Sequence, residues 1–466
     1  MRRQQSDSLD KKQISPATAA CTVLERGEKP VLTSIDTSTE AGRAVVQCDR
    51  YPTLKQVATA ARELAARWPD RCRLRTIGTS RGGRPLQLLS IGTAPEQALV
   101  VAGAHANESR LGGASIVELA QRVLADPAQH AAVTWNYLLC LDPDGAQLAE
   151  SGPREPSQPL DHFRHFYRQA PDEQPEWAPS VGRMLPESRA LLDLIDELRP
   201  FVQCSLHNSE MGGTFVQETG DIPGLAEEIA KSAGELGIPL DLGSYDALYW
   251  PSPGPGVHLM PGVAEVEHSQ ASSWAVGTTT WHAPNRYGGV TAIVEVPLWP
   301  TERVAAAEPV ADPAPSLLAA AEQLRQRGRL IEEFHATAAA LLGDGDWPLL
   351  RAVAGMLPVF RPLADEWDPR VAQPGAPPLP PMTGARLAGI EVWAHCVPLR
   401  AVAMLHRALA PVRDEAAEPR GRLAGLVEAW CAEYQDCLRG SWLPVTRQVE
   451  QQVRIVQAAV RLARRR

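Results

Sequence analysis

The sequence predicts an α/β fold, a mixed and largely parallel sheet with helices on both faces, followed by an all-helical C-terminal extension. Three observations predict it. Between residues 48 and 345, apolar runs of strand length alternate with amphipathic stretches of helix length, the pattern of strands joined by helical crossovers. Beyond about residue 346 strand signals stop and helical ones dominate. Three of the apolar runs also carry a histidine or a glutamate at or near their ends, where open α/β sheets place their chemistry.

Residues 1–47 are polar, lack sustained periodicity and read as an N-terminal arm, disordered or poor in strands. The strand-like runs are Leu86–Ile91, Ala98–Ala104, Trp135–Leu141, Phe201–Leu206 and Val290–Val296. Amphipathic helices fall between them at Leu54–Trp68, Gly113–Leu124 and Pro186–Leu198. A further amphipathic helix over residues 315–342 closes the catalytic-type domain, 48–345. The region 346–466 carries helical signals at Trp347–Met356, Ala385–Leu409, Gly421–Leu438 and Val445–Arg464, broken by a proline-rich loop at Gln373–Pro381. That region is a candidate for homo-oligomerisation, for covering a cleft, for holding a partner or for packing alone.

Composition excludes several classes. The net charge is −9 with both signs interspersed, and no basic stripe with aromatic partners suggests nucleic-acid binding. The start, Met1-Arg-Arg-Gln-Gln-Ser, is not followed by an apolar core of a secretory signal, and no run approaches an uninterrupted membrane span. Eight cysteines are scattered without a C-x-x-C pair, which reads as buried free thiols rather than a disulfide framework. The expectation is a cytoplasmic protein with neither nucleic acid nor membrane as partner.

The candidate site follows from three runs. His105 comes directly after Ala98–Ala104, with Glu108 three residues on, a spacing that puts both side chains on one side of a turn. His207 follows Phe201–Leu206, and Glu295 lies within Val290–Pro297. A carboxylate inside an apolar strand is costly unless something needs it there. Two histidines, a glutamate and a further free carboxylate form the kit of a hydrolytic zinc site. Singly, each has a bland alternative, a strand-end histidine or a solvated acid; Glu210 reads as supporting or structural.

The order of these pieces resembles the zinc-dependent metallocarboxypeptidase family, the carboxypeptidase A/B-like zinc peptidases, over residues 51–299. The landmarks are Tyr51-Pro-Thr-Leu54, Ile77-Gly-Thr-Ser-Arg-Gly-Gly-Arg-Pro-Leu86, His105-x-x-Glu108, Asp142-Pro-Asp-Gly145 (where the family usually has Asn first), Ser205-Leu-His207 and Glu295-Val-Pro297. The resemblance implies one Zn²⁺ per chain held by His105, Glu108 and His207. It implies Glu295 as general base and later general acid, and a peptide or peptide-like substrate with a free carboxylate. The sequence departs from the family in its anion pocket. Asn107 stands where an arginine is common, and the later Asn-Arg motif is not recognisable. Arg168 is the preferred carboxylate or oxyanion contact and Arg164 the second, with Arg154 and Arg183 in the same interval. The family's active-site tyrosine has no counterpart in Ser269–Gly277; Trp274 and Trp281 are candidate caps, while Tyr287 lies too close to Glu295. His258 and His268 read as polar contacts or ordinary loop histidines. The leading function is a metallocarboxypeptidase. The alternatives are an amidohydrolase or deacylase acting on N-acyl amino acids or a specialised peptide-like metabolite, and an inactive scaffold, against which the intact residues argue.

Overall fold

The computed structural model describes residues 50–262, 279–372 and 378–465. The N-terminal arm, the Ser269–Gly277 segment with Trp274 and His268, and the start of the proline-rich loop lie outside the described residues. Eight strands form one sheet, in the order β1 (Cys72–Thr79), β2 (Pro85–Ile91), β4 (Thr134–Leu138), β3 (Gln97–Val101), β5 (Val202–Gly212), β8 (Val290–Pro300), β6 (Phe215–Glu218) and β7 (Val257–Leu259). β3 is parallel to β4 and β5, and β5 is parallel to β8. Antiparallel pairing adds β1 and β2 at one side and sets β6 against β8.

The central strands are buried on both faces, which is why they read as continuous apolar runs rather than alternating ones. Side chains still sort by parity. Leu89, Ile91 and Val100 pack with Val57, Ile116 and Leu119 on one face. Leu88, Leu99 and Val101 pack with Leu191, Leu194 and Ile195 on the other. The first helix, Leu54–Arg67, starts at a reciprocal cap in which Thr53 and Gln56 satisfy each other's main-chain amides.

The helical region divides in two. Helices Ala314–Leu342, Pro348–Trp367, Gly384–Ala408 and Ala417–Leu438 pack on one another. The last helix, Val445–Ala463, instead lies on the sheet over β5 and β8, between helices Ser109–Ala125 and Leu225–Leu236. Three glutamines on its inner face are fully buried, and each is satisfied: Tyr51 Oη donates to Gln448 Oε1 at 2.5 Å, Ser232 Oγ to Gln451 Oε1 at 2.6 Å and Ser115 Oγ to Gln452 Oε1 at 2.7 Å. Gln452 Nε2 donates to the His207 carbonyl at 2.8 Å, so this helix supports a candidate metal ligand from behind.

One sequence expectation changes. By length and composition helix Gly384–Ala408 could cross a membrane, against the expectation that no run approaches such a span. Of its most apolar stretch 67% is buried inside the protein, because this helix is sandwiched between its neighbours and the cleft described below. Among the described cysteines, Cys72, Cys140, Cys204, Cys396 and Cys431 are free and buried, and Cys437 is free and half-buried.

Candidate active site

The site is built from the loop after β3 and from the body of β5, which runs on through His207 to Gly212 instead of ending at Leu206. After β3 the chain turns through Gly103, whose φ of 64° and contact with Cys140 exclude a side chain: a Cβ there would lie 2.6 Å from the Cys140 sulfur. His105 then stays extended, and a single 3₁₀ turn, Ala106–Glu108, carries Glu108 back beside it. Gln169 clamps this loop, accepting from the Ala106 amide at 3.1 Å and donating to the Ala104 carbonyl at 3.0 Å and to Asp142 at 2.8 Å. Asp142 also caps the helix after it, accepting from the Gly145 amide at 3.0 Å. Burial pushes its carboxyl up to about 6, against the pull of Arg81 at 3.4 Å.

Three donor atoms converge. His105 Nδ1 lies 3.0 Å from Glu108 Oε2 and 3.1 Å from His207 Nδ1, and His207 Nδ1 lies 2.9 Å from Glu108 Oε2. The edges of a zinc tetrahedron with bonds of about 2.0–2.1 Å measure roughly 3.3 Å, so a metal fits after an opening of a few tenths of an ångström. The three residues could hold one ion. Electrostatics agree with that fit at His105 and Glu108. Burial, then the charge of Arg168, lowers the His105 imidazole to about 4 and keeps it neutral, as a metal ligand must be. Burial pushes the Glu108 carboxyl up, but His105 and Arg168 outweigh it and hold the group ionised. His207 is driven the other way: hydrogen bonds to Glu108 and Glu176 overcome burial and favour a positive charge on its ring. A metal ion binding here would take the place of that proton.

The far nitrogen of His207 is held by a pair that sequence reasoning missed. His207 Nε2 is 3.1 Å from Glu176 Oε2 and 2.9 Å from Ser205 Oγ, while Ser205 Oγ donates to Glu176 Oε1 at 2.7 Å. Glu176 is completely buried. A carboxylate on the distal nitrogen fixes the ring and its tautomer, the usual support of a ligating histidine. Nothing in Gln174-Pro-Glu-Trp177 signals this role, because only the fold brings Glu176 to His207.

Glu295 is the register partner of His207 across the parallel β5–β8 pair, so both side chains leave the same face at the same level. It lines the same cleft as the three donors. Burial pushes its carboxyl up to about 8, with the charge of His207 opposing.

The arginine expectations separate. Arg168 lines the cleft and donates to Glu108 Oε1 at 2.8 Å, with its other arm 3.1 Å from His105 Nε2. Arg164 is not in the cleft; it is exposed and pairs with Glu428 at 2.6 Å. The reason is local: in helix Pro159–Arg164 Phe163 is buried inward, which turns its neighbour toward helix Ala417–Leu438. Asn107 lines a separate small pocket with Tyr51 and His162. Tyr287 is exposed and bonded to Asp196, and His258 is buried on β7 outside the cleft. Trp281 does line the cleft, its ring 6.4 Å from that of His207. Glu210 is structural: Arg400 and His162 bind it, and these charges hold its carboxyl far below the usual range despite burial.

Residues 57–213 match the zinc carboxypeptidase family. The matched segment takes in His105, Glu108 and His207 and stops before Glu295. No curated protein matches the chain. Among solved structures, a metallo-carboxypeptidase from Burkholderia cenocepacia is 17% identical over 52% of this chain and 59% of its own, with a TM-score of 0.34. Carboxypeptidase A from Helicoverpa armigera is 15% identical over 56% and 68%, with a TM-score of 0.37. Bovine thrombin-activatable fibrinolysis inhibitor is 13% identical over 53% and 86%, with a TM-score of 0.31.

The zinc carboxypeptidase-like part supplies only one side of the cleft. The cavity, of about 280 Å³, is also lined by Met356 and Val359 of helix Pro348–Trp367 and by Trp393, Val397 and Arg400 of helix Gly384–Ala408.

Proposed function

We propose that the protein is a zinc-dependent hydrolase that cleaves a C-terminal peptide or amide bond, a metallocarboxypeptidase in reaction type. The observation that carries this reading is the convergence of His105 Nδ1, Glu108 Oε2 and His207 Nδ1 within 3.1 Å of one another, with Glu295 at the register of His207 on the next strand. Zinc, when bound, supplies Lewis-acid activation of water and polarisation of the scissile carbonyl. The chain supplies the rest. Glu295 takes a proton from the attacking water and returns it to the leaving nitrogen. Its raised carboxyl suits the second role, and a cation beside it favours the first by acting in the opposite direction. Glu176 and Ser205 hold the His207 ring in place through its Nε2.

One observation favours a second reading. The Arg168 fork is engaged by Glu108 and His105, which leaves it less free to grip a substrate carboxylate. An amidohydrolase with the same metal and a different anion contact fits that engagement. Mass spectrometry of a mixed peptide library incubated with zinc-loaded protein, with and without chelator, tests both. Chelator-sensitive loss of single C-terminal residues is expected. A zinc-replete protein that trims no peptide but cleaves N-acyl amino acids overturns the first reading in favour of the second.

A further inference from the structure

The cleft contains a carboxylate that the chemistry above does not use. Glu108 is paired with Arg168, and Glu210 with Arg400. Asp241 accepts main-chain amides, from Gly243 at 3.0 Å, and Glu295 stands beside the donor cluster as the base. Asp246 also lines the cavity; the charges of Arg168 and Arg400 reach it, but neither guanidinium is hydrogen-bonded to it among the described residues. It is accessible from the cavity rather than closed off. Both arginines that line the cleft are already taken.

Asp246 is also held firmly where it is. It sits in the 3₁₀ turn Tyr245–Ala247, whose flanks are fixed by Tyr245 and Tyr249 hydroxyls donating to Glu366 at 2.9 and 2.8 Å. The segment before it lies flush on helix Gly384–Ala408: a Cβ on Gly389 would come 2.1 Å from the Gly243 carbonyl oxygen. So the helical region fixes the segment that carries this carboxylate, and Trp393 of that region lines the same cavity. Tyr245 and Trp393 have centroids 5.0 Å apart, and Trp250 lines the same cavity. An unpaired carboxylate beside aromatic faces is a receptor for an organic cation, which gains both a charge-assisted hydrogen bond and a cation–π contact. A neutral group would leave the carboxylate without a hydrogen-bonded cation.

The size of the cavity narrows the cation further. About 280 Å³ is at the lower end of small-ligand sites, and two helices of the C-terminal region contribute to its lining. A substrate seated there is short, so its amino end falls inside the cleft.

We propose that Asp246 anchors the free amino terminus of a short substrate, and that the substrate class is unblocked dipeptide-sized amides. This rests on the hydrolase reading and deepens it. The test compares three probes on zinc-loaded wild type and Asp246→Asn: alanyl-leucine, its N-acetyl derivative, and lactyl-leucine, in which a hydroxyl replaces the ammonium. Turnover and ligand-induced thermal shift are read in the same mixtures, so binding is scored whether or not the amide is cut. The wild type is expected to favour alanyl-leucine over both neutral probes by about tenfold or more, the scale of one charge-assisted contact. In Asp246→Asn that preference collapses while the neutral probes are unchanged. Thermal shifts in this order without any cleavage would sustain the anchor and defeat the hydrolase reading. Equal preference in wild type and variant, or a wild type that favours the blocked probe, would overturn the anchor.

Discussion

The cleft has two walls of unlike origin. The sheet wall carries His105, Glu108, His207 and Glu295, each delivered by the end or body of a buried strand. The helical wall carries Trp393 and Arg400 directly, and it fixes Asp246 through close backbone contact. One wall holds the atoms that react; the other decides what may sit beside them. On the proposed reading, reaction type and substrate choice would be encoded separately, the first on the strands and the second in helices that the family match does not reach.

The joint between the walls is the first place to break the comparison. Arg400 of helix Gly384–Ala408 and Glu210 of β5 form a buried pair, with Glu210 2% exposed. Glu210→Ala should leave Arg400 charged and unpaired and cost about 3–5 kcal/mol of unfolding free energy. Adding Arg400→Met should recover part of it. Denaturant titration checks both; a single variant as stable as wild type would mean that the pair does not join the walls.

Within the sheet wall, Glu176 acts only through His207. Glu176→Gln should lower zinc affinity by about 10–100-fold, measured by chelator competition, with the protein still folded. Unchanged zinc affinity would assign Glu176 to packing alone. The smallest effect should come from Arg164, whose partner Glu428 is exposed as well. Arg164→Ala should change stability by no more than about 0.5 kcal/mol and leave kcat/KM at the wild-type value. A substantial loss of kcat/KM would return Arg164 to the site.

The sheet wall was legible in the sequence because buried parallel strands announce themselves as apolar runs, and a histidine or glutamate within or just after one is conspicuous. The mixed sheet and the helices on both its faces followed from the same runs. The helical wall was legible only as helices. Gln448, Gln451 and Gln452 look like surface residues, yet they are fully buried because Tyr51, Ser232 and Ser115 are waiting for them. Glu176 and Asp246 lie in loops whose partners are far away in sequence, so no local spacing marks them. Arg164 and Arg168 occupy equivalent-looking positions in one short segment, and a single turn of chain sends one to the donor cluster and the other to the surface.

The central claim is that Glu295 moves the proton at a metal held by His105, Glu108 and His207. Zinc content and peptide turnover of Glu295→Gln, measured beside wild type and His207→Ala, test it most directly. Glu295→Gln is expected to keep one zinc per chain and lose about a hundredfold or more in kcat, while His207→Ala loses the metal itself. Near-normal turnover by zinc-loaded Glu295→Gln would contradict the account.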